Sequence, residues 1–199
     1  MSQYICVDIG GTSIKHGFLD ENAIIKECNQ TKTEAWLGGA AVLDKVKTIG
    51  KQYKEQYENI EGICISTAGM VDPEEGKIVF AGELMPDYTG TCIKKELEKA
   101  LEMPCEVEND VNCAGLAEYV SGSAKESHIM FCATVGTGIG GCAIVNGRVF
   151  HGASNSACEV GYIPMGDSDF QTLGASSILV RKVAEKKIEP LDMWDGKKI

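Results

Sequence analysis

The chain has nine cysteines in 199 residues but no C-x-x-C or C-x-C pair, and the odd number excludes a fully paired disulfide framework. Cys6, Cys64, Cys132 and Cys142 stand in apolar, strand-like runs, where a free thiol acts as a small buried hydrophobe. This usage points to a reducing, cytoplasmic setting. No apolar run approaches the ~20 residues that span a bilayer. The start, MSQYICVDIGGT, lacks the basic segment, apolar stretch and small-residue cleavage site of a secretory signal. Proline is scarce, 5 against 23 glycines, so the turns are tight backbone turns rather than Pro-rich linkers. Basic residues are also in deficit: 19 Lys+Arg against 29 Asp+Glu leave a net charge of -10, which argues against nucleic acid or an anionic membrane as partner. There is no Walker A sequence, and no glycine turn opens a helix as the dinucleotide-binding fingerprint requires.

What remains is an ordinary globular composition, 44% apolar and 24% charged, in a chain long enough for one large domain or two modest lobes. Tyr4–Ile9, Ile14–Leu19 and Ala23–Ile25 read as three antiparallel strands joined by tight turns. Ala41, Val42, Val46 and Ile49 recur at helical spacing between Gly38 and Tyr57, which predicts a helix covering that sheet. A strand over Gly62–Ala68, a hairpin around Asp72-Pro73-Glu74-Glu75-Gly76, a helix over Thr91–Leu101, a strand over Glu106–Glu108 and a helix over Val111–Val120 follow. His128–Val135, the turn Gly136–Gly141 and Cys142–Val145 then lead through Asn146-Gly147, a strong hairpin signal, to Val149-Phe150.

The second block echoes the first. A shift of 126 residues pairs Cys6 with Cys132, Gly10 with Gly136 and the Asp20-Glu21 turn with Asn146-Gly147. Two hairpin sheets can resemble each other by chance, so pattern alone leaves duplication open. Glycines let backbone N–H groups approach a phosphate closely, which makes Gly10, Gly11 and Thr12 one candidate cradle and Gly136, Thr137 and Gly138 another. The alternative is that these glycines only make tight hairpins. Asp8, beside the first turn, suits Mg2+ held through water, since hard cations take oxygen ligands. Asp110, at a strand-to-helix junction, is either a base for an acceptor hydroxyl or a helix cap, a role for which Asn109 and Asn112 compete. Lys15 could point to nucleotide or to solvent, and His16 and His128 read as structural.

Asp8–Lys15, Ser66–Asp72, Glu108–Ala114, Val135–Gly141 and His151-Gly152-Ala153 through Glu159-Val160-Gly161, in that order, resemble the ROK family of sugar kinases. The likeness runs from Tyr4 to about Arg181. It implies an α/β chain of the actin-like ATPase (ribonuclease H-like) type, with duplicated lobes around a cleft, a first lobe over 1–120 and a second over 121–199. The activity implied is ATP-dependent phosphorylation of a hexose or related sugar, such as glucose, N-acetylmannosamine or a β-glucoside, with ATP and Mg2+ as cofactors. Asp8, Gly10, Gly11, Thr12 and Lys15 would form the first phosphate motif, with Asp8 toward Mg2+, and Gly136, Thr137 and Gly138 the second. Asp110 would take the proton from the sugar hydroxyl. Gly69, Asn109, Glu159 and Tyr162 would line the sugar. The implied partners are the sugar and ATP, with a homodimer as the assembly common in the family.

Departures from the family pattern carry information too. Many members place a His three residues after the Glu that matches Glu159, then a C-x-C-x(4)-C cluster, together binding structural zinc. Here Tyr162 stands in place of the His and the cluster is absent, which implies a zinc-free branch and an altered sugar preference. Gln171 falls where a second sugar-binding Glu is expected, Cys158 replaces a usual Gly, and Ser156 stands where Asn is frequent. Family regulators add an N-terminal helix-turn-helix for which no room precedes Asp8. Members normally continue past the region of Arg181 into an adenosine-binding motif, so the second lobe is expected to be incomplete. A noncatalytic sugar-binding regulator or an inactive kinase fragment is the alternative.

Overall fold

The computed structural model describes residues 2–22, 24–83 and 85–187. The chain divides into two compact units, Met1–Cys113 and Ala114–Ile199.

In the first unit, alternation writes the sheet. Strand β1 (Gln3–Ile9) turns Ile5, Val7 and Ile9 inward, and β4 (Ile60–Thr67) does the same with Ile63 and Ile65. With β2 (Ser13–Asp20), β3 (Ile25–Lys32) and β7 (Cys105–Asn109) they form a five-stranded sheet in the order β3-β2-β1-β4-β7. The pairs β1–β2 and β2–β3 are antiparallel, whereas β1–β4 and β4–β7 are parallel. Helix α1 (Gly39–Gln56) buries Val42, Val46, Ile49 and Tyr53, a stripe at helical spacing. Helix α2 (Ile93–Leu101) buries Ile93, Leu97 and Leu101. The helices approach closely because Gly50 has no side chain: a Cβ there would lie 2.6 Å from Leu101 Cδ1. Strands, helices and the hairpin of β5 (Met70–Asp72) and β6 (Lys77–Phe80) share one apolar core. Each large aliphatic side chain in it contributes about 1.5–3 kcal/mol by leaving water.

Two expectations are corrected. The third strand is Ile25–Lys32 rather than Ala23–Ile25, and Ala23 lies outside the described residues. Its sequence, IKECNQTK, is polar because it is an edge strand exposed along nearly its whole length. Cys64 is exposed rather than buried, since it occupies the outward position between inward Ile63 and Ile65. Of the residues that compete for the cap of the helix after β7, Asn109 fills the position.

The second unit opens with a similar sheet. Strands β8 (Ile129–Val135), β9 (Ile139–Val145) and β10 (Arg148–Val149) form an antiparallel sheet in the order β10-β9-β8. The boundary between units falls inside helix α3 (Asp110–Val120), after Cys113. On the second unit's side α3 packs by Gly115, where a Cβ would meet Cys142 Sγ at 2.6 Å. Met130, Cys142 and Ile144 are buried, but Ile129 (72% exposed), Phe131 (58%) and Val135 (58%) leave the opposite face of β8 open. The unit continues through a two-stranded sheet of β11 (Pro164–Met165) and β12 (Ser168–Asp169), α4 (Phe170–Gly174) and α5 (Ser176–Lys187). No described helix is long and apolar enough to cross a membrane.

Candidate functional site

Polar side chains gather at the carboxyl ends of the parallel strands β1, β4 and β7, the end of an open α/β sheet where ligands bind. Register places Asp8 opposite Ser66, and Ser66 opposite Glu108, all on the face away from the apolar core. Ser66 Oγ donates to Asp8 Oδ1 at 2.8 Å, and Lys15 Nζ lies 3.7 Å from Asp8 Oδ2. Lys15 is largely exposed, so this ion pair adds little stability.

Where β7 runs into α3, Asn109 caps the helix. Its Oδ1 accepts from Val111 N at 2.9 Å and Asn112 N at 3.1 Å, while its Nδ2 donates to Gly69 O at 2.9 Å and Asp110 Oδ1 at 3.0 Å. All four polar positions of the amide are thereby engaged within the protein. Asp110, relieved of capping, has its Oδ1 fixed by Asn109 and by Val111 N at 2.9 Å. Among the described residues its Oδ2 accepts no hydrogen bond. Burial raises the Asp110 carboxyl above its ordinary value; the Val111 bond opposes this, and the charge of Asp8 adds to it. Gly69 has φ +99 and a Cβ there would meet Phe80 O at 2.7 Å, so only glycine fits the loop whose carbonyl Asn109 holds.

Each glycine turn is braced by residues that carried no motif. In the first, Gly10 N donates to Ser13 O at 3.1 Å, and buried Thr33 ties Gly10 O through its Oγ1 at 2.6 Å. The amides of Gly11 and Thr12 donate no hydrogen bond among the described residues. In the second, Gly136 N donates to Gly138 O at 2.8 Å. The turn's carbonyls are held from the start of α5, with Ser176 N on Gly136 O at 3.0 Å and Ser177 Oγ on Thr137 O at 2.8 Å. Thr33, Ser66, Ser176 and Ser177 are the supports that motif reading missed. Only Ser66 stood inside a motif; the others are hydroxyl residues whose role appears once strands and helix ends are placed.

Glu159, Tyr162 and Gln171 belong to the second unit. Glu159 precedes a single 3-10 turn, Val160–Tyr162, and Tyr162 is exposed. Gln171 Oε1 accepts from Ile139 N at 3.2 Å and packs against Gly138 and Gly161, so it joins the second glycine turn to the loop after Glu159. Cys158 has φ +65, the left-handed conformation that explains why glycine is usual there. His16 is structural: its Nδ1 is 3.2 Å from Tyr53 OH, and burial lowers its pKa.

For Mg2+, the donor chemistry fits a shared site. Among the described residues no group of three or more His, Cys, Asp or Glu side chains is arranged to hold a metal. Asp8 offers one partly exposed carboxylate, and Mg2+ commonly takes one or two carboxylates, water and substrate phosphates.

The ROK family model matches residues 4–175. An uncharacterised protein of Clostridium perfringens is 48% identical over 99% of this chain and 66% of its own length. A beta-glucoside kinase of Listeria monocytogenes is 30% identical over 96% of this chain and 66% of its own length. Among solved structures, a ROK family glucokinase from Streptomyces griseus, in complex with glucose and AMPPNP, superposes with a TM-score of 0.84 at 25% identity, covering 98% of this chain and 69% of that one. The chain spans about half to two thirds of the length of the curated relatives it matches.

Proposed function

The chain belongs to the ROK family, and from that premise we propose that it serves ATP-dependent phosphorylation of a hexose or related sugar in the cytoplasm. The observation that carries the reading is the state of Asp110: a carboxylate raised by burial, with one oxygen clamped and the other without a hydrogen bond among the described residues. A carboxylate so raised is a stronger proton acceptor than an ordinary aspartate. The open Oδ2 takes the proton of the acceptor hydroxyl as the hydroxyl oxygen bonds to the terminal phosphorus of ATP and the bond from that phosphorus to the bridging oxygen breaks, releasing ADP.

Within the first unit, Asn109, saturated by its own contacts, holds Asp110 in direction, and the loop at Gly69 contributes sugar contacts. The Gly11 and Thr12 amides at the first unit's turn bind phosphate oxygens. Asp8, oriented by Ser66, would hold Mg2+ through water, with Lys15 beside it. When bound, that ion neutralises charge on the transferring phosphate. Positioning and charge neutralisation supply most of the acceleration in this class of reaction. Tyr162 and Gln171, uncharged where many relatives carry His and Glu, support a sugar preference shifted from glucose.

The test is release of ADP by this chain with ATP, Mg2+ and, in parallel, glucose, N-acetylmannosamine and a β-glucoside. Sugar-dependent ADP release is expected, without a strong preference for glucose. Sugar binding with no ADP release from bound ATP would contradict the kinase reading and favour the alternative of a noncatalytic sugar-binding protein.

A further inference from the structure

The outward face of the first unit's sheet carries two thiols on one rung. Cys6 and Cys64 are register partners in the parallel ladder of β1 and β4, and the Cys6 thiol donates to Tyr4 O at 3.8 Å. Adjacent strands lie about 4.8 Å apart, inside the Cα separation of about 4.4–6.8 Å that a disulfide bridges. Register partners also leave the sheet on the same side. On β2 the residue opposite Cys6 is Gly17, so no side chain screens that flank; on β7 the residue opposite Cys64 is Glu106.

Cys64 is exposed and Cys6 is partly so. The neighbouring Cys6 side chain draws the Cys64 thiol down to about 7, against burial and the charge of Glu106. The neighbouring thiols are unlike this pair. Cys105 faces the core beside Ile63, Cys113 lies beside Ser66, and burial pushes each up to about 12. A thiolate that is accessible and has a second thiol poised against it is the arrangement of a reactive pair.

We propose that Cys6 and Cys64 form a modification site that reacts with a low-molecular-weight disulfide such as glutathione disulfide and closes into a cross-strand disulfide. The Cys64 thiolate attacks one sulfur of the small disulfide, whose S–S bond breaks; one thiolate leaves, and Cys64 keeps the other half as a mixed disulfide. Cys6 then loses its proton to solvent, attacks the Cys64 sulfur and expels the second thiolate. Two protein thiols are oxidised, and one small disulfide is reduced to two thiols. The next rung on the same face is Asp8 with Ser66, so the new bond fixes the spacing of β1 and β4 beside that carboxylate. This chemistry does not depend on phosphate transfer, and neither does its test.

The folded chain is treated with excess glutathione disulfide, its remaining thiols are alkylated, and it is digested with trypsin without reductant. Tryptic peptides 1–15 and 55–77 each contain a single cysteine, Cys6 and Cys64 respectively. The expected result is these two peptides linked, with two alkylatable thiols lost. In Cys6→Ser the glutathione stays on Cys64, and in Cys132→Ser the link forms as in the parent chain. Recovery of Cys6 and Cys64 as alkylated thiols, a lasting glutathione adduct on Cys64 in the parent chain, or linkage of either to Cys105 or Cys113 would overturn the proposal.

Discussion

The two units begin alike, with antiparallel strands around a glycine turn, and differ in how their sheets are covered. In the first, parallel strands extend the sheet, and α1 and α2 cover its apolar face, so that side chains from Ile5 to Val107 join one core. In the second, one face of the sheet packs on α3 around Gly115, while Ile129, Phe131 and Val135 point to solvent from the other. A strand apolar on both sides belongs in a sheet covered on both faces, and among the described residues one layer is present. The difference shows that repeated local patterns specify the hairpin sheets, whereas the covering elements decide which sheet acquires a closed core.

The contrast can be broken most decisively in the cores. Leu97→Ala in the first unit is expected to cost about 2–5 kcal/mol, read as a lower denaturant midpoint. Phe131→Ser, equally drastic in chemistry, should change stability by no more than about 0.5 kcal/mol and reduce binding of an apolar dye. Similar losses for the two would erase the distinction. A smaller effect tests the strand-to-helix junction: Asn109→Ala removes the cap of α3 and should lower stability by about 1–2 kcal/mol in thermal unfolding. The smallest concerns the second unit. Cys158→Gly relieves a left-handed residue at some cost in chain entropy, for a net gain of about 0.5 kcal/mol in the same measurement.

Much of this was legible in the chain. The alternation of Ile5, Val7 and Ile9 and the stripe of Val42, Val46 and Ile49 mark the sheet and its helix, because burial on one face leaves a period. Polar β3 left no such trace, since an edge strand is held by backbone pairing rather than by its side chains. The ordered motifs located Asp8, Asp110 and both glycine turns. They could not assign the cap, because Asn109 and Asp110 are both good capping residues and only the hydrogen bonds separate them. Thr33 and the α5 serines were hidden for a similar reason: their partners are backbone carbonyls of the turns, 23 residues away in one case and about 40 in the other.

The most direct test is the pH dependence of sugar-dependent ADP release by the parent chain and by Asp110→Asn. Burial raises the carboxyl's pKa, so proton acceptance should be lost as pH falls through a midpoint above the ordinary aspartate value of 3.8. Over the same window the fold gains stability, because protonation removes a charge that burial disfavours. Asp110→Asn removes that charge permanently. It should therefore lower turnover by about 10²–10⁴-fold while keeping sugar affinity and losing no thermal stability. Full turnover in Asp110→Asn, with an unchanged acid limb, would contradict the assignment.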